Sequence, residues 1–325
     1  MWKKIVVTAL LFSPLSVAAQ TDTASHLGKE LSQLVPGEHS AEINGLKFRY
    51  VVAGRGPLLV VQAPGSGIGS SYLQNGLAPL EKNFTLLFYD PRGSGGSSRP
   101  ASAMQMSISD MVEDLEALRK YWGLDSFNLL GHSSGGAIAL SYAERYPLHV
   151  HKLILVDSQL VGYDTNLLQK QMKDRRRNDP RYVTSLARLD DPSPATDDQY
   201  KKRFEEMLPY YLYDPTKNLS GLLHTMTGTP SSWAERAWEN SNKLNPEQQI
   251  AALSKVKAQT LIIVGHDDAI YPPVVSQRIH AGITSSMLKV YRKDGHFPWD
   301  EQPGKFFKDT RQFLSWVIIL PSAKA

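Results

Sequence analysis

The hydrophobic positions along the chain first form short runs that are typical of strands. From Glu42 to Val52, apolar and polar residues alternate on both sides of Asn44-Gly45, a dipeptide that favours a two-residue hairpin turn. The stretches Leu58 to Val61 and Phe84 to Tyr89 are mostly apolar and lie beside turn residues, as buried strands do. The pattern therefore predicts a hairpin followed by two further strands.

A helical period follows between Ser107 and Trp122. Apolar side chains recur there at intervals of three and four residues, and Ser107 with Asp110 forms a capping-box start. Gly123 follows as a stop signal. A helix is predicted over this stretch.

Short apolar runs then alternate with helical patterns along most of the remaining chain. These runs are Phe127 to Leu130, Lys152 to Val156, Leu261 to Val264 and Met287 to Val290, and the helical stretch Ala137 to Arg145 follows the first of them. Strands that alternate with helices indicate a mostly parallel sheet covered on both faces. The predicted class is α/β.

One long segment, residues 159–245, breaks this alternation. It lacks a buried-strand pattern and is rich in charged and aromatic side chains. A segment of this length is seldom a plain loop. We therefore predict a mainly helical cap over residues 159–245, inserted into a core formed by residues 20–158 and 246–325.

The first 19 residues have the composition of a signal peptide. Lys3 and Lys4 precede an apolar stretch from Ile5 to Phe12, and small residues lead to Ala19. The apolar stretch is too short to span a bilayer stably, so cleavage near Ala19 and no stable membrane anchor thereafter are expected, and a retained anchor is the alternative. A secreted or periplasmic location follows from this interpretation.

Composition and charge exclude several classes of function. The 325 residues include no cysteine, which rules out a disulfide framework, a thiol nucleophile and a thiolate metal site. The formal net charge of +4 loses two units with Lys3 and Lys4, and the remaining +2 does not indicate nucleic-acid binding. The basic run Lys173 to Arg177 lies in a charge-rich helical pattern and is interpreted as a solvated face.

The candidate chemistry begins at Gly131-His132-Ser133-Ser134-Gly135, where a predicted strand runs into a predicted helix. A serine hydroxyl is a poor nucleophile unless a base takes its proton and donors stabilise the oxyanion. Gly131 and Gly135 carry no side chain that would clash in a tight strand-turn-helix, which is the context of a nucleophile elbow. Ser133 is therefore the predicted nucleophile, and a Gly-Ser-rich turn without chemistry is the alternative.

The other members of a catalytic triad are expected downstream, first the acid and then the histidine. Asp268 follows the predicted strand Leu261 to Val264, and His296 follows the last predicted strand. Both lie at carboxyl ends of strands, where ligands gather in open α/β sheets. Asp268 is the preferred acid, and its neighbour Asp267 and the strand-ending Asp157 are the alternatives. The acid would fix the tautomer of His296, which acts as the base.

The oxyanion donors are predicted from the same geometry. One is the backbone N–H of Ser134, and the other comes from the loop after the strand Leu58 to Val61. Pro64 has no N–H to donate. Ala63 is the first choice for the second donor, and Gly65 is the second choice.

From about Ile43 onward the chain resembles the α/β-hydrolase superfamily. Within it, the run Asp90 to Pro100, which reads DPRGSGGSSRP, is similar to a segment of prolyl aminopeptidases and their tricorn-interacting-factor relatives. Residues 75–80, 295–299 and 301–303 also fit that branch. The resemblance implies an enzyme that releases an N-terminal residue, often proline, from a short peptide.

Two departures from that branch bear on the substrate. The branch has His-Gly-Gly-Pro-Gly at the oxyanion loop, where this chain has Gln62-Ala63-Pro64-Gly65-Ser66. The branch carries an aromatic residue after the nucleophile, whereas Ser134 follows here and His132 precedes, as in many esterases and lactonases. A carboxylesterase or lactonase is therefore the alternative function, and a non-catalytic ligand-binding protein of the same fold is a further one.

The sequence as a whole predicts a serine hydrolase that forms an acyl-enzyme and acts on a small molecule or a short peptide. Serine at the elbow argues against epoxide or haloalkane hydrolysis, in which an aspartate attacks. Serine chemistry requires no cofactor, and the histidines lack a paired metal-binding spacing. An aminopeptidase would need carboxylates for the substrate's amine. Cap residues that could serve, or that could be ordinary surface side chains, are Glu205, Glu206, Glu235 and Glu239.

Overall fold

The computed structural model describes residues 34–244 and 246–315. In chain order the strands are β1 (Gly37–Ile43), β2 (Leu46–Gly54), β3 (Leu58–Gln62), β4 (Thr85–Tyr89), β5 (Phe127–His132), β6 (Val150–Val156), β7 (Gln259–Gly265) and β8 (Ser286–Tyr291). They form an eight-stranded sheet in the order β1-β2-β4-β3-β5-β6-β7-β8.

The sheet is mostly parallel, as the sequence predicts. The pairs from β4 through β3, β5, β6 and β7 to β8 are all parallel, whereas β1 with β2 and β2 with β4 are antiparallel. In the β1–β2 hairpin, Asn44 and Gly45 both have positive φ angles, 52° and 78°. A two-residue turn that follows the strand twist requires this conformation. The predicted hairpin is therefore confirmed.

The helices lie between and after these strands. They are α1 (Ser71–Leu77), α2 (Ile108–Tyr121), α3 (Ser134–Arg145), α4 (Asn166–Arg176), α5 (Val183–Arg188), α6 (Asp197–Tyr211), α7 (Pro215–Thr225), α8 (Ser232–Leu244), α9 (Gln249–Ala252), α10 (Pro273–Gly282), α11 (Pro298–Glu301) and α12 (Pro303–Ser315). The start of α2 has the predicted capping box: the Ser107 hydroxyl accepts from Asp110 N, and the Asp110 carboxylate accepts from Ser107 N.

The inserted segment is helical in its described part. Helices α4 to α8 follow one another between β6 and β7, with no strand among the described residues of this stretch. These helices and the sheet belong to one compact unit that begins at Pro36. The described part of the segment is thus helical and lies between β6 and β7, and its role as a cap stays a prediction.

One residue of the basic run Lys173 to Arg177 departs from the prediction of a solvated face. Arg176 is 6% exposed. Its guanidinium donates to the carbonyl oxygen of Asp267 at 2.7 Å and to that of Tyr210. The prediction is wrong at Arg176 because its side chain turns inward and joins α4 to the loop after β7.

The predicted leader, residues 1–19, lies outside the described residues. Within the part of the chain that the structure describes, no helix combines the length and the apolar character needed to cross a membrane.

Candidate active site

Ser133 occupies a sharp turn between β5 and α3. Its φ and ψ angles, 59° and −129°, are strained for a residue with a side chain. A Cβ on Gly131 would lie 2.6 Å from the carbonyl oxygen of Gly135, and one on Gly135 would lie 2.5 Å from that of Gln62. Only glycine fits at these two positions, so the packing has the form of a nucleophile elbow.

Asp268 and His296 meet in the interior of the protein. The Nδ1 of His296 lies 2.9 Å from Asp268 Oδ2, and both side chains are buried. The other oxygen, Asp268 Oδ1, accepts from the backbone N–H groups of Ile270 and Tyr271 at 2.8 and 3.2 Å. The carboxylate is thus held on both sides, and it orients the imidazole.

This contact determines which nitrogen of His296 is free. With Nδ1–H donating to Asp268, the remaining Nε2 is an acceptor, and it has no hydrogen-bond partner among the described residues. His296, Ser133 and Ser134 all line one cavity of about 280 Å³. The arrangement offers a proton acceptor and a hydroxyl to the same cavity.

The structure separates the two alternative acids from this contact. The carboxylate of Asp267 lies 3.4 Å from Nδ1 of its exposed neighbour His266. Asp157 accepts from Gly265 N at 2.9 Å through its Oδ1. Of the three acids proposed from the sequence, Asp268 makes the hydrogen bond to the imidazole of His296.

The two candidate oxyanion donors lie close to the elbow. Ser134 lines the cavity as the first residue of α3. Ala63, the residue after β3, is fully buried, and its carbonyl carbon would lie 2.8 Å from a Cβ on Gly135. Gly65, the second choice, is packed against the ring of Trp238.

His132 has a role in the site that the sequence pattern does not indicate. Its buried ring donates from Nε2 to the carbonyl oxygen of His296 at 2.9 Å and accepts at Nδ1 from the Tyr72 hydroxyl at 2.7 Å. Burial, and secondly the neighbouring His296, hold the pKa of His132 well below its usual range. His132 is therefore a neutral support for the histidine loop.

Glu301 is a second supporting residue that sequence reasoning missed. Its carboxylate accepts from the backbone N–H groups of Gly295, Tyr213 and Asp214 at 2.6, 2.9 and 2.9 Å. It thereby joins the loop that carries His296 to the chain between α6 and α7. The resemblance singled out residues 301–303, but a glutamate in a helix start gives no sign of this contact.

Helices α6 and α8 supply the cap side of the cavity. Its wall includes the apolar and aromatic side chains Ile68, Phe204, Met207, Tyr211, Met226 and Trp238. Glu235 lines it too, and its buried Oε2 has no hydrogen-bond partner within the described chain. Burial, and then the negative charge of Glu239, raise the pKa of Glu235 to about 7.

The four cap glutamates differ in their positions. Glu235 and Glu239 line the same cavity as Ser133 and His296, whereas Glu205 lines a separate cleft. Glu206 is paired with Arg188 at 2.7 Å. Two of the four therefore face the space in which a substrate would bind.

Comparisons with known proteins agree with this architecture. The model of a family described as alpha/beta hydrolase fold matches residues 58–303. A proline iminopeptidase of Saccharolobus solfataricus is 30% identical over 301 residues, which cover 85% of this chain and 90% of that protein.

Solved structures share the fold at lower identity. An alpha/beta fold family hydrolase from Bacillus anthracis superposes with a TM-score of 0.68 at 20% identity, over 85% of this chain and 98% of the other. The enol-lactonase from Burkholderia xenovorans LB400 has a TM-score of 0.62 at 20% identity, over 86% and 100% of the two chains.

Proposed function

Since this chain belongs to the alpha/beta hydrolase fold family, we propose that it is a serine hydrolase with Ser133, His296 and Asp268 as its triad. Ser133 attacks an acyl carbonyl while His296 takes the hydroxyl proton and passes it to the leaving group. Water then hydrolyses the acyl-enzyme with His296 again as the base. The N–H groups of Ser134 and Ala63 stabilise the oxyanion in each half-reaction.

One observation carries the proposal: the buried Asp268–His296 hydrogen bond of 2.9 Å leaves Nε2 without a partner in a cavity that Ser133 also lines. A buried acceptor without a donor costs free energy. Such atoms are rare in folded proteins unless a reacting group uses them. We expect the Ser133 hydroxyl to supply that group when a substrate binds.

The mechanism is tested by Ser133→Ala. We expect hydrolysis of p-nitrophenyl acetate to fall at least about a thousandfold, since the attacking oxygen is absent. Labelling by a fluorophosphonate probe should be lost as well, while the circular dichroism spectrum stays that of the parent. Full activity in this variant would contradict the triad, and an unreactive parent protein would favour the non-catalytic alternative.

For the substrate, we propose an amide whose N-terminal residue is small and carries a free amine, as the 30% identical proline iminopeptidase suggests. The cavity of about 280 Å³ suits a short acyl group. Glu235 Oε2 lacks a partner within the described chain, and a substrate ammonium would satisfy it by a charge-assisted hydrogen bond. Glu239 adds a second negative charge on the same helix.

The amine site is tested by Glu235→Gln assayed on two substrates. We expect kcat/KM for proline β-naphthylamide to fall about tenfold or more, through loss of one charged contact. Hydrolysis of p-nitrophenyl acetate, which has no amine, should stay within about twofold of the parent because the triad is unaltered. Glu206→Gln is the matched control, since Glu206 is paired with Arg188.

A specific observation favours ester or lactone hydrolysis as the second candidate. Arg203 lines the same cavity, its Nε has no partner among the described residues, and its charge acts on Glu235. A cation there opposes an incoming ammonium, while the apolar wall suits an acyl chain. Unchanged hydrolysis of proline β-naphthylamide in Glu235→Gln, or preference for esters and lactones in the parent, would support this candidate.

We also propose that the protein is exported, on the composition of residues 1–19 described above. N-terminal sequencing of the protein recovered from a periplasmic extract and from the culture medium tests this. The expected mature terminus is Gln20.

A further inference from the structure

Asp157 lies in the same buried cluster as the triad, although it is Asp268 that bonds His296. It follows β6 directly, is 0% exposed, and has a φ angle of 44°, which is strained for a residue with a side chain. The backbone N–H of Asp157 donates to the carbonyl oxygen of Ile263 in β7. The backbone N–H of Gln159 donates to the carbonyl oxygen of Ser133. Backbone hydrogen bonds at Asp157 and Gln159 therefore connect this segment both to β7, which precedes Asp268, and to the turn at Ser133.

The side chain of Asp157 has one satisfied oxygen and one that is not. Oδ1 accepts from Gly265 N at 2.9 Å, whereas the buried Oδ2 has no donor among the described residues. An oxygen of Asp157, one of Asp268 and a ring nitrogen of His296 all lie within 4.8 Å of one another. An ionised Asp157 would be a buried charge with a single donor, beside a second negative charge, which is strongly unfavourable.

Of the two acids, Asp268 is the one built to carry the negative charge. It receives two backbone N–H donors at Oδ1 and the imidazole N–H at Oδ2. Asp157 receives one donor and forms no ion pair with a lysine or arginine in the described ranges 34–244 and 246–315. Of these two carboxyl groups, Asp157 is therefore the one that holds a proton. That proton can be donated to the carboxylate of Asp268 in a hydrogen bond.

We propose that Asp157 is a positioning residue of the triad, whose protonated carboxyl group donates a hydrogen bond to the Asp268 carboxylate and so holds Asp268 against His296. The inference deepens the proposed function and rests on it for its kinetic consequence. The protonation state of Asp157 can be measured whether or not the protein is a hydrolase.

The surroundings of Asp157 favour the neutral form. Burial, and then the charges of Asp268 and Asp294, raise the pKa of Asp157 well above its usual range. Tyr291 of β8 and His296 are the other titratable groups that face it, and the pKa of Tyr291 is raised in part by Asp157 itself. The hydrogen bond from Gly265 N acts in the opposite direction and does not outweigh the burial.

The decisive experiment compares Asp157→Asn with Asp157→Leu. Asparagine keeps a neutral donor toward Asp268 and an acceptor for Gly265 N, so kcat and the midpoint of the acid limb of kcat/KM should stay close to those of the parent. Leucine keeps the branching at Cγ, with a larger volume, but removes the donor, so kcat should fall about tenfold with little change in KM. A merely structural role would not separate these two variants at equal thermal stability.

A lower acid-limb midpoint in Asp157→Asn would overturn the proposal, because it would mean that a negative charge had been removed from beside His296. Equal kcat in the two variants would overturn it as well.

The infrared spectrum gives a readout that does not depend on activity. The difference spectrum of parent minus Asp157→Asn at pH 7 should contain the carbonyl band of a protonated carboxylic acid. Asp294→Asn is the matched control, since burial and the charge of Glu301 raise the pKa of Asp294 to about 9. A carboxylate band in place of the acid band at Asp157 would overturn the inference, whereas loss of hydrolysis alone concerns the proposed function.

Discussion

Some buried polar atoms around Ser133 have a hydrogen-bond partner, and others do not. Both oxygens of Asp268 accept hydrogen bonds, while His296 Nε2 and Glu235 Oε2 have no partner within the described chain. Buried polar atoms are usually paired, and exceptions cluster where a ligand completes them. His296 and Glu235 line the same cavity. At these two residues the site has polar atoms that a hydroxyl and an amine could satisfy.

The pKa of Glu235, raised to about 7, predicts a pH dependence for amine substrates. Below pH 7 the carboxyl is neutral and attracts an ammonium weakly, so kcat/KM for proline β-naphthylamide relative to p-nitrophenyl acetate should rise as the pH increases from 6 to 8. The ratio is measured across this range in the parent and in Glu235→Gln. A ratio that still rises in the variant would assign the titration to another group.

Among the secondary-structure elements, β5 and α3 pack closely around the turn at Ser133 because no side chain lies between the strand and the helix. The Ser133 N–H donates to Val156 O of β6 at 3.0 Å, and Ser133 O accepts from Gln159 N, so the strained turn is held from the neighbouring strand. Glu301 and Arg176 then attach the cap to the loops that carry His296 and Asp268. Each residue of the proposed triad is thus positioned by contacts between elements.

Gly131→Ala tests this packing. The new Cβ would lie 2.6 Å from Gly135 O, and overpacking of this kind costs about 1–3 kcal/mol of the free energy of unfolding. Displacement of Ser133 should also lower kcat about tenfold or more. Urea unfolding and ester hydrolysis are measured together. Gly304→Ala is the control, because a Cβ at that position would meet no other atom, and it should lower neither quantity.

Across the whole molecule, the sheet collects acidic groups at the carboxyl ends of β6 and β7 and beside β8. Asp157, Asp268 and Asp294 are all 0% exposed. A buried acid whose pKa is raised binds its proton more tightly in the folded than in the unfolded chain, which makes stability depend on pH. Asp157 and Asp294, whose pKa values are raised, therefore bind a proton more tightly in the folded chain than in the unfolded chain.

Asp294→Asn isolates one part of that dependence. The pKa of Asp294 is about 9 in the folded chain and about 3.9 in the unfolded chain, so between these pH values the folded state holds one more proton. The contribution of Asp294 to the free energy of unfolding therefore falls progressively as the pH rises from about 4 to about 9. Asparagine does not titrate. The Tm of the variant minus that of the parent should therefore increase from pH 5 to pH 8.5 in thermal unfolding. A constant difference would contradict a raised pKa.

Patterns among neighbouring residues are enough to predict the elements and the types of the reacting residues. Alternation, apolar runs and the capping box at Ser107 are local properties, so the strands, α2 and the hairpin at Asn44-Gly45 are predictable from them. The order of Ser133, Asp268 and His296 along the chain indicates the chemistry, because each follows a recognisable strand.

How these residues meet depends on the packing of distant segments. Asp157, Asp267 and Asp268 each follow a core strand, and their roles separate because Asp268 makes the hydrogen bond of 2.9 Å to His296. The inward turn of Arg176 likewise depends on carbonyl groups distant in the chain. Val290 is 39% exposed because β8 is the last strand of the sheet, which no local pattern encodes. The spacing of hydrophobic residues indicates which face of a helix or strand is apolar. The partner of a buried polar atom depends instead on how several helices and strands pack together.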